Sequence, residues 1–101
     1  MRARLSREQA VELLEAQRVR LAELGVASLA LFGSTARGEA KAGSDVDIMV
    51  EFAGPATYGR FMDLKEFLEG VLGRPVDLVT RKALKPRMLG VVEEQAVYVA
   101  R

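Results

Sequence analysis

Two short apolar runs near the middle of the chain place the strongest constraint on its fold. The first, residues 26–32, ends at Gly33, and the second, residues 45–52, alternates apolar and polar side chains as a half-buried strand does. Only about a dozen residues join the two runs, which is near the lower limit for a crossover between parallel strands. We therefore expect two strands whose pairing need not be parallel, and hence a mixed sheet.

Helical patterns flank these two strands. Ser6 and Gln9 have the spacing of a capping box, and apolar residues then recur at helical spacing, which predicts a helix over residues 7–24. Residues 35–39 suit one or two helical turns, and residues 40–44 suit a small polar loop. The first strand is thus preceded by a long helix and followed by a short one.

The second half of the chain continues the alternation of helix and strand. An amphipathic helix ends at Gly73, a short strand follows over residues 76–79, and Pro86 suits the first turn of a final helix. Residues 96–100 fit either an extension of that helix or an edge strand. The order indicates one α/β (α+β) domain over residues 1–101. It would have a small mixed sheet of three to four strands, with helices packed mainly on one face.

Composition narrows the possible chemistry. The chain has 101 residues, a net charge of +1, no cysteine and no histidine. Disulfides, thiolate metal sites and histidine bases are therefore excluded, and any metal has to bind through oxygen, as Mg²⁺ or Mn²⁺ does. The small net charge argues against general nucleic-acid binding. Because the sequence shows neither a long apolar run nor a signal sequence, we expect no membrane contact and a cytoplasmic location.

Three aspartates are the candidates for chemistry. In the second run, Asp45 and Asp47 take the face opposite the apolar residues, roughly 6–7 Å apart between Cα atoms. Asp77 lies opposite the apolar face of the third predicted strand, and it joins the pair if the second and third strands are adjacent. Converging carboxylates repel one another unless cations are bound, so the three together predict a metal site. Taken singly, an Asp-x-Asp is usually a solvent-facing feature and a Gly-Ser after a strand is usually a turn.

Most of the chain, roughly residues 26–95, resembles a known superfamily. Gly33 and Ser34 are followed by ten residues and then by Asp45-Val46-Asp47. This arrangement resembles the signature of the DNA polymerase β-like nucleotidyltransferases. The strand around Asp77 and the segment that follows it are similar to the short, stand-alone minimal nucleotidyltransferases. The combined motif is specific at the level of the superfamily, but it does not specify the substrate.

The resemblance implies a role for each matching residue. Gly33 and Ser34 would hold the β- and γ-phosphates of the substrate ATP. Asp45 and Asp47 would bind two Mg²⁺ ions, with Mn²⁺ as an alternative. Asp77 would bind the catalytic metal and help to activate the acceptor hydroxyl. The acceptor oxygen would then attack the α-phosphorus, and pyrophosphate would leave.

Two further residues inside the motif are candidates for nucleotide binding. Arg37 either reaches a phosphate or pairs on the surface with Glu39 or Asp45, and the two interpretations have equal weight. Ser44 more simply orients the loop that precedes Asp45. The basic residues after the third aspartate attract triphosphate or RNA or, more commonly, form a solvated loop: Arg81, Lys82, Lys85 and Arg87.

Larger enzymes of this superfamily carry extra domains that bind the acceptor, so the resemblance implies that here the acceptor comes from a partner protein or from a second subunit. The minimal family resembles antitoxins whose partner is a helical HEPN-domain toxin, which implies transfer of AMP to a tyrosine of that toxin. Two alternatives stay open. The first is a binding module that masks the toxin by contact alone, and the second is a homodimer that modifies a small molecule or RNA at its interface. A homo- or hetero-oligomer is compatible with these options.

Overall fold

The computed structural model describes residues 5–41 and 44–100, apart from the side chain of Ala100. These residues form helices on both sides of a four-stranded sheet, which confirms the predicted α/β class. In chain order the elements are α1 (Arg7–Glu15), α2 (Arg18–Glu23), β1 (Val26–Phe32), α3 (Gly33–Ala36), β2 (Val46–Phe52), α4 (Tyr58–Leu72), β3 (Val76–Thr80), a 3₁₀ turn (Arg81–Ala83), α5 (Pro86–Gln95) and β4 (Val97–Ala100).

The sheet is mixed, as the short connection between the first two strands predicts. Its strand order is β3-β2-β1-β4. Strand β1 is antiparallel to both β2 and β4, whereas β2 and β3 are parallel and are joined through α4. Residues 97–100 therefore form an edge strand rather than the end of the last helix, which decides between the two options that the sequence leaves open.

The two faces of the sheet are covered unequally. On one face, the alternating apolar residues of β2 pack with α1, α2 and α4 in the larger core, which includes the fully buried Leu14, Ile48 and Leu64. The opposite face has a small cluster around Ala30, Met49 and Val92 beneath α5. The helices thus pack mainly on one face, as expected, and α5 lies on the face that also carries the polar side chains of β2.

The first helix is shorter than the sequence predicts. Instead of one helix over residues 7–24, α1 and α2 are separated by a turn in which the Gln17 N–H donates to the Leu14 carbonyl at 3.0 Å. Leu14 and Leu21 are buried, but none of residues 15–20 is. Because no apolar side chain in this stretch packs on the core, the helix can break here without losing burial.

The short helix after β1 also differs in its bounds. The sequence predicts helical turns over residues 35–39, whereas α3 is Gly33–Ala36. Gly38 has a φ of +73°, the left-handed conformation that commonly ends a helix. The polar loop expected over residues 40–44 lies only partly within the described residues, since residues 42 and 43 are outside them.

Candidate active site

The end of β1 and the beginnings of β2 and β3 lie next to one another at the same end of the sheet. Phe32, the last residue of β1, pairs with Asp47 near the start of β2, and Asp47 in turn pairs with Asp77 near the start of β3. Neighbouring strands are about 4.8 Å apart, and paired residues point to the same face. The register therefore places Asp47 and Asp77 side by side, on the face that α5 covers only in part.

The Asp47 carboxyl shows the electrostatic cost of this arrangement. Its pKa is raised above the usual 3.8, first by partial burial and then by the charge of Asp77 and a hydrogen bond with it. The charge of Asp45 raises the pKa further, while Arg37 lowers it. Asp77 thus acts on Asp47 from the neighbouring strand, and Asp45 acts on Asp47 from the exposed segment before β2.

Gly33 lies against the Asp47 carboxylate. A Cβ added at Gly33 would be 2.2 Å from Asp47 Oδ2, far inside contact distance, and the φ of Gly33 is +69°. Only glycine fits this close approach without strain. The turn that begins α3 is consequently held next to the aspartates, and Ser34 follows directly, in the first turn, where backbone N–H groups have no partner within a helix.

Arg37 follows α3 and joins it to α5. Its Nε donates to Glu39 at 2.9 Å, and its Nη1 donates to the side chain of Gln95 at 3.1 Å. The surface pairing with Glu39 is thus present, and the guanidinium still lies close enough to act on the pKa of Asp47. The two interpretations of Arg37 are compatible: its pairing does not remove its charge from the site.

Ser44 and Arg81, the first of the basic residues after β3, have clear structural contacts. The Ser44 hydroxyl accepts a hydrogen bond from the Lys41 N–H at 3.1 Å, consistent with orienting the loop before β2. Arg81 forms an ion pair with Glu93 of α5 and donates to the Tyr98 hydroxyl at 3.5 Å. Lys82, Lys85 and Arg87 are exposed. Arg81 therefore links the 3₁₀ turn after β3 to α5 and β4, a role that its position in a basic run does not indicate.

The carboxylates suit a hard cation, although they do not form a ready-made cage. Among residues 5–41 and 44–100, no group of three or more carboxylates is already placed to hold a metal ion together. The adjacent pair of Asp47 and Asp77 nevertheless offers the oxygen ligands that Mg²⁺ prefers, in a chain without histidine or cysteine. A cation would also counteract the partial burial and the neighbouring negative charges that raise the pKa of Asp47.

Three contacts near the site have no signal in the sequence. Arg7 of α1 donates to the Ala36 carbonyl at the end of α3 at 3.3 Å. The side chain of Gln95 accepts a hydrogen bond from Arg37, and the side chain of Glu69 in α4 accepts one from the first N–H of β3. Each joins residues that lie in separate elements, so no local pattern predicts it.

The raised pKa of Asp47 predicts that the metal-free protein gains stability when this charge is removed. The folded state binds the Asp47 proton more tightly than the unfolded state, so the contribution of this group to stability falls as pH rises from about 4 through the folded-state pKa. We expect metal-free Asp47→Asn to melt at a higher temperature than the wild type near neutral pH. The difference should vanish at low pH, where Asp47 is protonated in both states. Thermal denaturation with a chelator tests this, and a variant that melts lower at neutral pH would contradict it.

No helix in the part of the chain that the structure describes is long and apolar enough to cross a membrane.

Comparison with known proteins places this site in a family context. Residues 14–99, which include Asp45, Asp47, Asp77 and all of the sheet except the last residue of β4, match the nucleotidyltransferase domain family. The chain is 42% identical over 98 residues to the protein adenylyltransferase MntA of Thermococcus cleftensis, covering 96% of this chain and 99% of that protein.

Two solved structures share the fold. One, described as a minimal nucleotidyltransferase, has a TM-score of 0.74 at 38% identity and covers 86% of this chain and 93% of its own. The other is a crystal structure of a toxin-antitoxin with AMP-PNP, with a TM-score of 0.70 at 25% identity, covering 84% of this chain and 71% of its own.

Proposed function

This chain belongs to the nucleotidyltransferase domain family, and from that membership we propose that it transfers AMP from ATP to a hydroxyl group of a partner protein. The partner in this proposal is a HEPN-domain toxin, for which the chain acts as antitoxin. The name of the Thermococcus relative, a protein adenylyltransferase, supports a protein acceptor. The solved toxin-antitoxin with AMP-PNP supports a toxin as the partner and an adenine nucleotide as the substrate.

One observation carries the proposal to this chain: the contact of Gly33 with Asp47, in register with Asp77. It brings a turn suited to phosphate against the Asp47 carboxylate, and the strand register places Asp77 beside Asp47. A purely structural Gly-Ser turn would not need to approach a carboxylate, because that approach restricts the position to glycine and crowds a charged group. Nucleotidyl transfer needs both parts in one place, since a triphosphate and the cations that neutralise it bind together.

The aspartates and the turn bind different groups in this proposal: the aspartates bind cations, and the turn binds phosphates. In this proposal Asp45, Asp47 and Asp77 hold two Mg²⁺ ions, which supply neutralisation of the phosphate charge. The backbone of Gly33 and the hydroxyl of Ser34 hold the β- and γ-phosphates. Arg37 adds positive charge from its place beside α3, and Ser44 keeps the loop before Asp45 in shape.

The reaction is a substitution at the α-phosphorus. The acceptor hydroxyl oxygen forms a bond to the α-phosphorus, and the bond from that phosphorus to the bridging oxygen breaks, so that pyrophosphate leaves. The hydroxyl proton passes to a carboxylate oxygen of Asp77 and from there to solvent, because the chain offers no histidine to take it. Catalysis then rests on alignment and on charge neutralisation rather than on a covalent intermediate.

A labelling assay tests the proposal. The purified chain is incubated with Mg²⁺ and each of the four α-labelled nucleoside triphosphates, with and without a candidate HEPN toxin, and the ribonuclease activity of the toxin is measured in parallel. We expect label from ATP on a tyrosine of the toxin and loss of its activity. Neutralisation without label would instead indicate masking by contact, and label on RNA or a small molecule would indicate a different acceptor.

A further inference from the structure

A side chain outside the site holds the strand that carries Asp77. Glu69, on the last turns of α4, accepts a hydrogen bond from the backbone N–H of Val76 at 2.9 Å. Val76 is the first residue of β3 and directly precedes Asp77. The same carboxylate oxygen of Glu69 receives a second bond from Lys65 Nζ at 3.3 Å. Both contacts favour the ionised carboxylate, and together they lower the pKa of Glu69.

Because of the position of β3 in the sheet, the Val76 N–H has its partner outside the sheet. Strand β3 is an edge strand, so every second N–H group faces away from β2. On the inner side, the Val46 N–H donates to the Pro75 carbonyl at 3.0 Å, which sets the pairing of β2 with β3. On the outer side, the N–H of Val76 has Glu69 as its partner. The start of β3 is thus fixed from both sides.

The connection between α4 and β3 supports the same role. The Gly73 N–H donates to the Glu69 backbone carbonyl at 2.8 Å and ends α4, and only three residues separate α4 from β3. Glu69 therefore ends the helix through its backbone and holds the strand through its side chain. This double attachment leaves the first residue of β3 little freedom to move relative to α4.

The attachment of β3 to Glu69 opposes the repulsion between Asp47 and Asp77. Asp77 is in register with Asp47, so two like charges lie side by side on the same face of the sheet and repel each other. An edge strand held only by β2 would relieve this repulsion by moving its first residues outward. We propose that Glu69 is a positioning residue that keeps Asp77 beside Asp47 for metal binding. This inference rests on the proposed function, because it assigns Asp77 to the metal site.

Metal binding without turnover tests the positioning role. Binding of Mn²⁺ is measured by electron paramagnetic resonance in the presence of AMP-PNP, with no acceptor present. We expect Glu69→Ala to weaken Mn²⁺ binding by about tenfold, the usual effect of losing a group that orients a ligand. Glu69→Gln, which keeps a carbonyl oxygen as acceptor, should restore most of the affinity. Glu66→Ala, an exposed glutamate on the same helix, is the matched control and should bind as the wild type does.

Repeating the Glu69→Ala substitution in the Asp77→Asn variant separates a positioning role of Glu69 from a general effect on stability. In Asp77→Asn, the group to be positioned no longer carries a charge, so adding Glu69→Ala should change Mn²⁺ affinity little. An equal loss in both backgrounds, or wild-type affinity in Glu69→Ala alone, would overturn the positioning role and leave the proposed function intact. A wild-type chain that binds no Mn²⁺ with nucleotide would overturn both.

Discussion

Asp47→Asn is expected to reduce nucleotidyl transfer by about 10²- to 10³-fold, the range found when one group that stabilises transition-state charge is removed. Asp47 lies at the centre of the site, paired with Asp77 on one side and with the end of β1 on the other, and it touches the glycine turn. Asparagine keeps the shape of the side chain and removes its charge. The rate of label transfer from ATP to the partner, measured at saturating Mg²⁺, gives the effect directly.

Glu51→Gln is the matched control for this substitution. Glu51 is on the same strand and the same face, two alternations further along β2, and its exposed carboxylate is away from the aspartates. We expect transfer within about twofold of the wild type for this variant. Loss of transfer in both variants would mean that any neutralised carboxylate on β2 impairs the protein. Full transfer by Asp47→Asn would remove Asp47 from the catalytic residues, whereas neutralisation of the toxin without label transfer would favour a module that only binds.

Gly33→Ala is expected to reduce transfer by about 10²-fold, because displacements of about 1 Å in an aligned site have effects of this size. The added Cβ would lie 2.2 Å from Asp47 Oδ2, so the turn or the carboxylate has to move. The positive φ of +69° also costs about 1–2 kcal/mol of stability for any residue with a Cβ. Transfer rates and the free energy of unfolding in urea measure the two effects separately.

Gly38→Ala isolates the effect of the close approach. Gly38 has nearly the same φ, +73°, and no atom of the described residues, 5–41 and 44–100, lies within 4 Å of an added Cβ. We expect it to lose a similar amount of stability from backbone strain, about 1–2 kcal/mol, while its transfer rate stays near that of the wild type. Equal loss of activity in Gly33→Ala and Gly38→Ala would show that strain near α3, rather than contact with Asp47, limits the reaction.

Much of the site can be predicted from the sequence because its determinants are local. The alternation of β2 fixes the face of Asp47, and the same alternation in β3 fixes the face of Asp77. Adjacency of the two strands follows from the helix that joins them, which favours parallel neighbours. These rules bring the two aspartates together, and the pairing of Asp47 with Asp77 confirms that step.

The features that the sequence does not predict depend on contacts between residues that are far apart in the chain. The tail over residues 97–100 becomes a strand because β1 has a free edge for it, and no pattern within five residues can report that edge. The break between α1 and α2 depends on which side chains reach the core. Likewise, the contact of Glu69 with Val76 requires the tight turn after α4, and the role of Arg81 requires Glu93 and Tyr98 to be nearby.

The unequal covering of the sheet has a consequence for the dynamics of the protein. The face packed by α1, α2 and α4 holds the large core, whereas α5 is retained by a small cluster and by polar links at Arg37 and Arg81. Segments with few buried apolar contacts open at a lower free energy than the whole domain. Local opening of α5 is therefore less costly than global unfolding. The aspartates lie on the face where such opening widens access, while the opposite face preserves their spacing.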